Sequence, residues 1–223
     1  MPSHRYQDTA QEFEKLLIFG AGGSGREVAW LASQVWGKRV EVQFVVDQPE
    51  FLSADVNGIH VASFDDIVRL VATRYVVAIG DPMHRRRIAT LFERTLLPAA
   101  TIVHPRVEMS DSVLLGQGTI VCAGTVLTTN IYIGNHVQVN VGCSISHDAV
   151  IGDFTTLSPG VHVAGHVQLG SGVFIGIGAS VINGRSGKPL IIGDGAIIAA
   201  GACVTDDVPA GVMVAGVPAV KKR

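Results

Sequence analysis

Charged and aromatic residues are scarce in this sequence of 223 residues. Asp, Glu, Lys and Arg make up 16% of it, and Phe, Trp and Tyr make up 6%. The formal net charge is −2, from 17 Lys and Arg against 19 Asp and Glu. The sequence therefore has no excess of positive charge that could neutralise several phosphates, and we expect no nucleic-acid partner.

Cysteine and long apolar runs are also in short supply. The three cysteines, Cys122, Cys143 and Cys203, have neither the spacing of a disulfide framework nor that of a zinc site. No stretch approaches the roughly 18 uninterrupted apolar residues of a membrane span. The N-terminal stretch is polar and lacks the apolar segment of a secretory signal. We therefore expect no structural metal, no membrane association and a cytoplasmic location.

Aliphatic residues and glycine are abundant, and in the C-terminal half they follow a period of six. A large aliphatic residue recurs at every sixth position, the phase shifts by five residues, and the pattern then resumes. Such a pattern is typical of short strands joined by tight turns and stacked coil upon coil. It predicts a parallel β-helix of about five to six coils over residues 102–223. The predicted core residues are Val103, Met109, Leu115, Val121, Leu127, Ile133, Val139, Ile145, Ile151, Leu157, Val163, Leu169, Ile175, Val181, Ile192, Ile198 and Val204.

The N-terminal half has the alternating pattern of an α/β domain, which we place at residues 15–101. The segments "KLLIFG", "VEVQFVVD" and "RYVVAIGD" predict buried parallel strands, and helical segments follow them, including "SFDDIVRLV" and "PMHRRRIATLFERT". Gly20, Gly22 and Gly25 form G-x-G-x-x-G between the first strand and its helix. This motif is typical of phosphate-binding turns, although a plain turn is the alternative. About 85 residues make only half of a dinucleotide-binding fold, so NAD is not expected.

His147 and Asp148 interrupt the six-residue pattern with two adjacent polar residues. They follow Ile145 at a predicted turn, where an imidazole is not needed for packing. A neutral imidazole can take a proton from an attacking group, and a neighbouring carboxylate can orient it. The alternative is a solvated polar turn. The sequence does not show whether the two adjacent side chains can touch.

A resemblance to a known family extends from Lys15 to about Pro218. The hexapeptide period, "LLIFGAGGSGREV", "AIGD" at residues 78–81, "HP" at His104 and "VAGVPA" at residues 214–219 resemble the NeuD/PglD-type sugar acetyltransferases. These belong to the hexapeptide-repeat acyltransferase superfamily. The resemblance implies a Rossmann-like domain followed by a left-handed parallel β-helix, and a homotrimer. It further implies a nucleotide-sugar on the first domain and acetyl-CoA between neighbouring subunits.

The same resemblance assigns roles to individual residues. His147 with Asp148 would be catalytic. The six-residue pattern itself, and not the resemblance, places Cys143 in a second column of small residues, four positions after each large aliphatic residue. This position predicts that Cys143 is core packing and not an acyl-enzyme nucleophile. Arg185 and Lys188, in the interruption at residues 183–190, either meet coenzyme A phosphates or belong to a loop in water. The substrate would contact Gly22, Gly23, Ser24, Asp47, Gln48, Gly80 and Asn140, and acetyl-CoA would contact Thr156, Gly165, Ile177 and Ala200.

The predicted function is acetyl-CoA-dependent N-acetylation of a nucleotide-linked amino sugar, most specifically a 4-amino-4,6-dideoxyhexose, for surface polysaccharide or glycan biosynthesis. Three alternatives remain open: O-acetylation of a sugar such as sialic acid, a non-catalytic nucleotide-sugar-binding protein, and a zinc enzyme of the carbonic anhydrase type. The zinc enzyme would use His136, His162 and His166. However, such sites usually need two histidines five apart, and here His162 and His166 are four apart.

Overall fold

The computed structural model describes residues 13–52, 55–67 and 72–222. The first domain is a sheet of five strands in the order β3-β4-β2-β1-β5, in which the β3–β4 pair alone is antiparallel. Its elements in chain order are β1 (Lys15–Phe19), α1 (Gly23–Trp36), β2 (Glu41–Val46), β3 (Asp55–Val56), β4 (Ile59–Ser63), β5 (Thr73–Val77) and α2 (Pro82–Glu93).

The predicted strands are continuously apolar because helices cover both faces of the sheet. Leu16 and Ile18 pack in one cluster with residues of α1, and Leu17 and Phe19 pack in another with residues of α2. Among the described residues, α1 and α2 are the two α-helices, and neither is long and apolar enough to cross a membrane.

The prediction of a helix at "SFDDIVRLV" is wrong for the part of this segment that the structure describes. Ser63 does act as a cap, since its hydroxyl accepts from the Asp65 N–H at 3.3 Å, but the cap opens only a 3-10 turn, Phe64–Asp66. Ile67 already has extended backbone, and residues 68–71 lie outside the described part of the chain. Phe64 makes edge contacts with Phe19 and Phe92, so tertiary packing overrides the local helical propensity.

The second domain is a left-handed parallel β-helix with three faces. The first face contains β6 (Ile102–Val103), β9 (Ile120–Val121), β12 (Gln138–Val139), β15 (Thr156–Leu157), β18 (Phe174–Ile175), β21 (Ile197–Ile198) and β23 (Met213–Ala215), with the antiparallel β24 (Val220–Lys221) at its end. The second face contains β7 (Glu108–Met109), β10 (Val126–Leu127), β13 (Ser144–Ile145), β16 (His162–Val163), β19 (Ser180–Val181) and β22 (Cys203–Val204). The third contains β8 (Leu114–Leu115), β11 (Tyr132–Ile133), β14 (Val150–Ile151), β17 (Val167–Leu169) and β20 (Leu190–Ile192).

The six-residue pattern is the core of this β-helix, as predicted. Residues of the aliphatic column such as Ile133, Ile145 and Ile151 are 0% exposed, and the small-residue column, including Ala149, fills the same cluster. Where the phase shifts, Arg185 and Lys188 pair by two backbone hydrogen bonds of 2.9 Å and close a tight turn. The fold class expected from the sequence is therefore confirmed.

The first domain packs onto the first face through a buried arginine. Arg85 of α2 is 1% exposed, and its guanidinium donates to the backbone oxygen of His136 at 2.8 Å, to that of Ile79 at 2.5 Å and to Thr156 Oγ1 at 2.8 Å. Burial lowers the pKa of Arg85 to about 9, and Asp81 opposes part of this change. Gln138 Nε2 adds a hydrogen bond of 3.1 Å to the Val77 oxygen. The β-helix therefore holds the first domain through hydrogen bonds sealed from water.

Candidate active site

His147 and Asp148 form the turn between β13 and β14, so they lie on the corner that joins the second and third faces. Asp148 has left-handed backbone, with φ of 59°, which turns its carboxylate back toward the preceding ring. The Asp148 Oδ2 atom lies 2.8 Å from His147 Nδ1. The adjacent side chains therefore do touch, and the His147 side chain remains 53% exposed.

The Asp148 carboxylate has partners on the coils before and after it. Asn130, Asp148 and His166 occupy equivalent turn positions 18 residues apart, and all three have positive φ. Asn130 Nδ2 donates to Asp148 Oδ1 at 3.3 Å, and His166 Nε2 lies 3.7 Å from Oδ2. The hydrogen bond from His147, more than those other neighbours, lowers the pKa of Asp148. An ionised carboxylate can only accept, so Nδ1 of His147 carries the hydrogen and Nε2 is free to take a proton.

Gly165 lies directly beneath the His147 ring. A Cβ at this position would lie 2.5 Å from Cε1 and 2.6 Å from Nε2 of that ring. The missing side chain therefore makes room for the imidazole. The resemblance assigned Gly165 to acetyl-CoA binding, and its position beside the exposed ring nitrogen is compatible with that prediction.

The four glycines of the first βα turn divide into two kinds. Gly20 has φ of 102°, and a Cβ on Gly25 would lie 1.9 Å from the Gly20 oxygen, so these two are required by the turn and by helix packing. A Cβ on Gly22 or Gly23 would meet no heavy atom within 4 Å. Gly22 and Gly23, with Ser24 in the first turn of α1, thus border open space where a ligand can approach the backbone.

Asp47, Gln48 and Gly80 lie at the same edge of the sheet as this turn. Asp47 follows β2 and Gly80 comes soon after β5, and both strands pair in parallel with β1. The structure therefore brings the predicted nucleotide-sugar residues of this domain to one edge. However, the Gly80 oxygen already accepts from Thr156 Oγ1 at 2.7 Å, so that carbonyl is committed to the domain junction.

Arg87 is a residue of this edge that the sequence analysis did not single out. Its Nη2 lies 2.9 Å from Asp47 Oδ2 and 2.9 Å from His84 Nε2. The run "HRRR" in α2 was the available indication, but it does not show which arginine faces the edge. Its neighbour Arg86 instead lies over the Phe154 ring at 4.8 Å.

The residues predicted to hold acetyl-CoA do not come together within one chain. Ile177 and Ala200 are exposed and lie on the corner that joins the first and second faces, one coil apart. Gly165 lies on the second–third corner with His147. Thr156 is 2% exposed and its hydroxyl bonds to Gly80 and Arg85. The prediction that Thr156 contacts coenzyme A does not fit this position, because its side chain is sealed between the domains.

Asn140 also lies on the first–second corner, beside a cavity of about 110 Å³ under α1. Its Nδ2 donates to the Leu157 oxygen at 2.7 Å, so Oδ1 and the second Nδ2 hydrogen are the groups it can offer to a ligand. The cavity is also lined by Trp30 and by His104, which is 4% exposed. His104 Nδ1 accepts from the Arg106 N–H at 2.9 Å, and Nε2 has no hydrogen-bond partner among the described residues.

The alternative chemistries gain no support from the position of their residues. His136 is stacked against Phe154, and burial, with the charge of Arg85, lowers its pKa to about 4. His162 lies on β16, where Nδ1 is 2.8 Å from Ser144 Oγ. Among the described residues, neither of these two histidines joins His166 in a group of three side chains that could hold a metal ion. Cys143 is 1% exposed, and burial raises the pKa of its thiol to about 11, as expected for core packing.

Comparisons with known proteins agree with this architecture. Residues 15–92 match the family model described as the PglD N-terminal domain. The chain is 35% identical over 208 residues to GDP-perosamine N-acetyltransferase of Escherichia coli O157:H7. This alignment covers 91% of this chain and 93% of that protein.

Two solved structures extend the similarity to three dimensions. The acetyltransferase domain of PglB from Neisseria gonorrhoeae FA1090, in complex with acetyl coenzyme A, is 31% identical with a TM-score of 0.84, over 94% of this chain and 100% of that one. PerB from Caulobacter crescentus, in complex with CoA and GDP-perosamine, is 29% identical with a TM-score of 0.84, over 94% and 97% of the two chains.

Proposed function

This chain belongs to the NeuD/PglD-type sugar acetyltransferases, and on that premise we propose that it acetylates the amino group of a nucleotide-linked 4-amino-4,6-dideoxyhexose. Acetyl-CoA is the co-substrate. The observation that carries the proposal is the contact of 2.8 Å between His147 Nδ1 and Asp148 Oδ2, on a corner that leaves the rest of the ring exposed. The perosamine named for two of the relatives is a sugar of this class, so the comparisons support the acceptor.

The reaction needs one group that moves a proton. His147 Nε2 takes the proton of the sugar amine as its nitrogen attacks the thioester carbonyl, and Asp148 stabilises the imidazolium that forms. The tetrahedral intermediate then expels the thiolate of CoA, to which the imidazolium returns the proton. Backbone N–H groups at the turn are the donors for the oxyanion. The C–N bond that forms and the C–S bond that breaks leave an amide and free CoA.

The nucleotide is held at the carboxyl edge of the first domain. The exposed backbone of Gly22 and Gly23, with Ser24 in the first turn of α1, suits a diphosphate. Asp47 and Gln48 meet the ribose or base, and the backbone N–H of Gly80 completes the edge. The ion pair of Asp47 with Arg87 orients the carboxylate for this contact.

We infer that a second subunit completes the site. The first domain packs on the first face, whereas His147 lies on the opposite corner, between the second and third faces. A sugar attached to a nucleotide at the first domain of one subunit therefore reaches the His147 corner of another. In the same arrangement, the first–second corner, with Asn140, Ile177 and Ala200, lies across the cleft from Gly165.

The third face is the surface on which we place this contact, in a homotrimer. Its outward column is apolar at most positions, in contrast to the second face, which presents groups such as Glu108, Ser144 and His162. The column runs through strands in register, with Tyr132 47% exposed, Val150 37% and Ile191 46%. A second copy that covers this column removes apolar area from water next to the catalytic corner.

The tight turn at Arg185 and Lys188 lies on the His147 corner. The Gly184 N–H donates to the Gly165 oxygen at 3.0 Å, and the Leu190 N–H donates to the His166 oxygen at 3.1 Å. Both cationic side chains are exposed one coil beyond His166. This position supports their contact with the phosphates of CoA.

The role in surface polysaccharide or glycan biosynthesis is part of the proposal, since acetylated sugar nucleotides are donors for glycosyl transfer.

The test is an acceptor panel. Purified protein is given acetyl-CoA with GDP-, UDP- and dTDP-4-amino-4,6-dideoxyhexoses, and with free sialic acid, and thiol release is followed. We expect turnover on at least one nucleotide-linked amine and none on sialic acid. At 100 times its Kd, the matching nucleotide diphosphate should raise Tm by about 5–10 °C. Turnover on sialic acid alone would establish O-acetylation. A protein that binds the nucleotide but neither binds CoA nor turns over any acceptor would be a non-catalytic binding protein.

Gly165→Ala should lower kcat without unfolding the protein. The new Cβ collides with the end of the His147 side chain, which can rotate away, so the free energy of unfolding should change by less than about 1 kcal/mol. The displaced ring loses its alignment, and we expect kcat to fall by about 10- to 100-fold.

The control for Gly165→Ala is a double-mutant cycle with His147→Ala. If the methyl group acts through the ring, adding Gly165→Ala to the His147→Ala variant should lower kcat no further. Equal losses in both backgrounds would mean that Gly165 acts on the co-substrate directly, and an unchanged kcat would contradict the steric argument.

A further inference from the structure

Three metal-ligating side chains converge on the His147 corner. His147, Asp148 and His166 each offer a ligand atom, and these atoms all lie within 4.8 Å of one another. The Asp148 Oδ2 atom is central, 2.8 Å from His147 Nδ1 and 3.7 Å from His166 Nε2. The two imidazole rings lie nearly perpendicular, at 86°, with 5.1 Å between their centroids. Two imidazoles and a carboxylate form a set that suits zinc.

The register of the β-helix produces this cluster. Asp148 and His166 stand at the same turn position of consecutive coils, and the His166 N–H donates to the His147 oxygen at 3.0 Å. Zn–N and Zn–O bonds of about 2.0–2.1 Å place two tetrahedral ligands about 3.3 Å apart, between the two distances measured here. The three side chains are 53%, 39% and 28% exposed, which leaves a face open for a fourth ligand such as water.

We propose that this corner is an inhibitory Zn²⁺ site, with His147 Nδ1, Asp148 Oδ2 and His166 Nε2 as ligands. The site differs from the set of His136, His162 and His166 weighed from the sequence, since it shares only His166 with it. The effect on the rate rests on the proposed function of His147, whereas the binding itself does not.

The inhibition follows from the tautomer of His147. Without metal, Nδ1 carries the hydrogen and donates it to Asp148, so the lone pair for catalysis is on Nε2. A zinc ion takes the lone pair of Nδ1, and the hydrogen moves through solvent to Nε2. The number of protons on the neutral ring does not change, but Nε2 can no longer accept one. Zinc at this place therefore leaves His147 without a basic nitrogen and replaces its hydrogen bond to Asp148 with a shared metal ion.

The binding test compares two histidine variants of the full chain. Chelator-treated protein is titrated with ZnCl₂ by calorimetry, without CoA. We expect one ion per chain in the wild type and a Kd weaker by about tenfold or more in His166→Asn, because a lost ligand costs at least as much as a lost outer-shell partner. Asn suits the positive φ of position 166, so the fold is retained. His162→Asn, an exposed histidine on β16, is the matched control and should bind as the wild type does.

The rate test uses the same proteins with acetyl-CoA and the acceptor found above. Product is followed by chromatography, because the thiol of free CoA binds zinc itself. Half-inhibition should occur near the measured Kd in the wild type and in His162→Asn, and at about tenfold more zinc or beyond in His166→Asn. The proposal is overturned if the wild type binds no zinc, if His166→Asn binds it equally well, or if bound zinc leaves the rate unchanged. If the metal-free protein shows no turnover, that result contradicts the proposed function instead. The zinc site is then tested by calorimetry alone.

Discussion

Replacing His147 with Ala is expected to lower kcat by about 10²- to 10⁴-fold, the range in which a positioned general base contributes. The loss should appear about equally in kcat and kcat/KM, since the imidazole acts when the amine attacks and not when the substrates bind. The side chain is half exposed on a turn, so its removal should leave the free energy of unfolding within about 0.5 kcal/mol of the wild type. Steady-state rates with both substrates varied, together with urea unfolding, provide the measurement.

The matched control for His147→Ala is His162→Ala. His162 is also exposed, lies on the neighbouring coil and contacts Ser144 instead of a carboxylate. Its replacement should leave kcat within about threefold of the wild type, since a contact away from the reacting atoms contributes little to the transition state. A rate in His147→Ala close to that of the wild type would rule out the proposed base, and a rise in KM alone would assign the ring to substrate binding.

Replacing Arg85 with Met should lower the free energy of unfolding by about 3 kcal/mol or more, a larger loss than for the substitutions at Gly165 and His147. Met keeps the apolar part of the side chain but removes donors to His136, Ile79 and Thr156, and each buried acceptor left without a partner costs about 1–3 kcal/mol. Urea unfolding followed by tryptophan fluorescence is a suitable measurement, because Trp30 and Trp36 both lie in the first domain. The change should reduce the midpoint of unfolding, and the first domain should become more accessible to protease than the β-helix.

Arg94→Met serves as the control for Arg85→Met. Arg94 lies at the end of the same helix with its side chain exposed, so the same chemical change should alter the free energy of unfolding by less than about 0.5 kcal/mol. A loss below about 1 kcal/mol in Arg85→Met would show that water replaces the guanidinium at the junction.

The three consecutive arginines of α2 show what the sequence could not predict. Arg85, Arg86 and Arg87 are chemically identical, yet one is sealed in the domain junction, one covers the Phe154 ring and one pairs with Asp47. Successive residues of a helix point about 100° apart, so the surroundings of the helix determine each role. A sequence gives this angle but not the position of the helix relative to the β-helix.

Thr156 and the His147 corner differ in how far the sequence could predict their surroundings. The resemblance assigned Thr156 to acetyl-CoA binding, but the sequence does not reveal that the first domain covers that side of the first face. By contrast, the column of Asn130, Asp148 and His166 could have been found from the sequence, since three hexapeptides make one coil and residues 18 apart lie above one another.

The amino-acid sequence by itself determined the two domains' classes, the β-helix core and the candidate base, because a six-residue period, a strand-to-helix glycine turn and a polar pair at a turn are properties of neighbours along the chain. Only the tertiary structure decided that His147 and Asp148 touch, that Gly165 makes room for the ring, that Arg85 is buried and that the predicted nucleotide-binding edge lies away from His147. These depend on contacts between residues of different coils and domains. Their distances are set by packing in three dimensions, which local patterns do not contain.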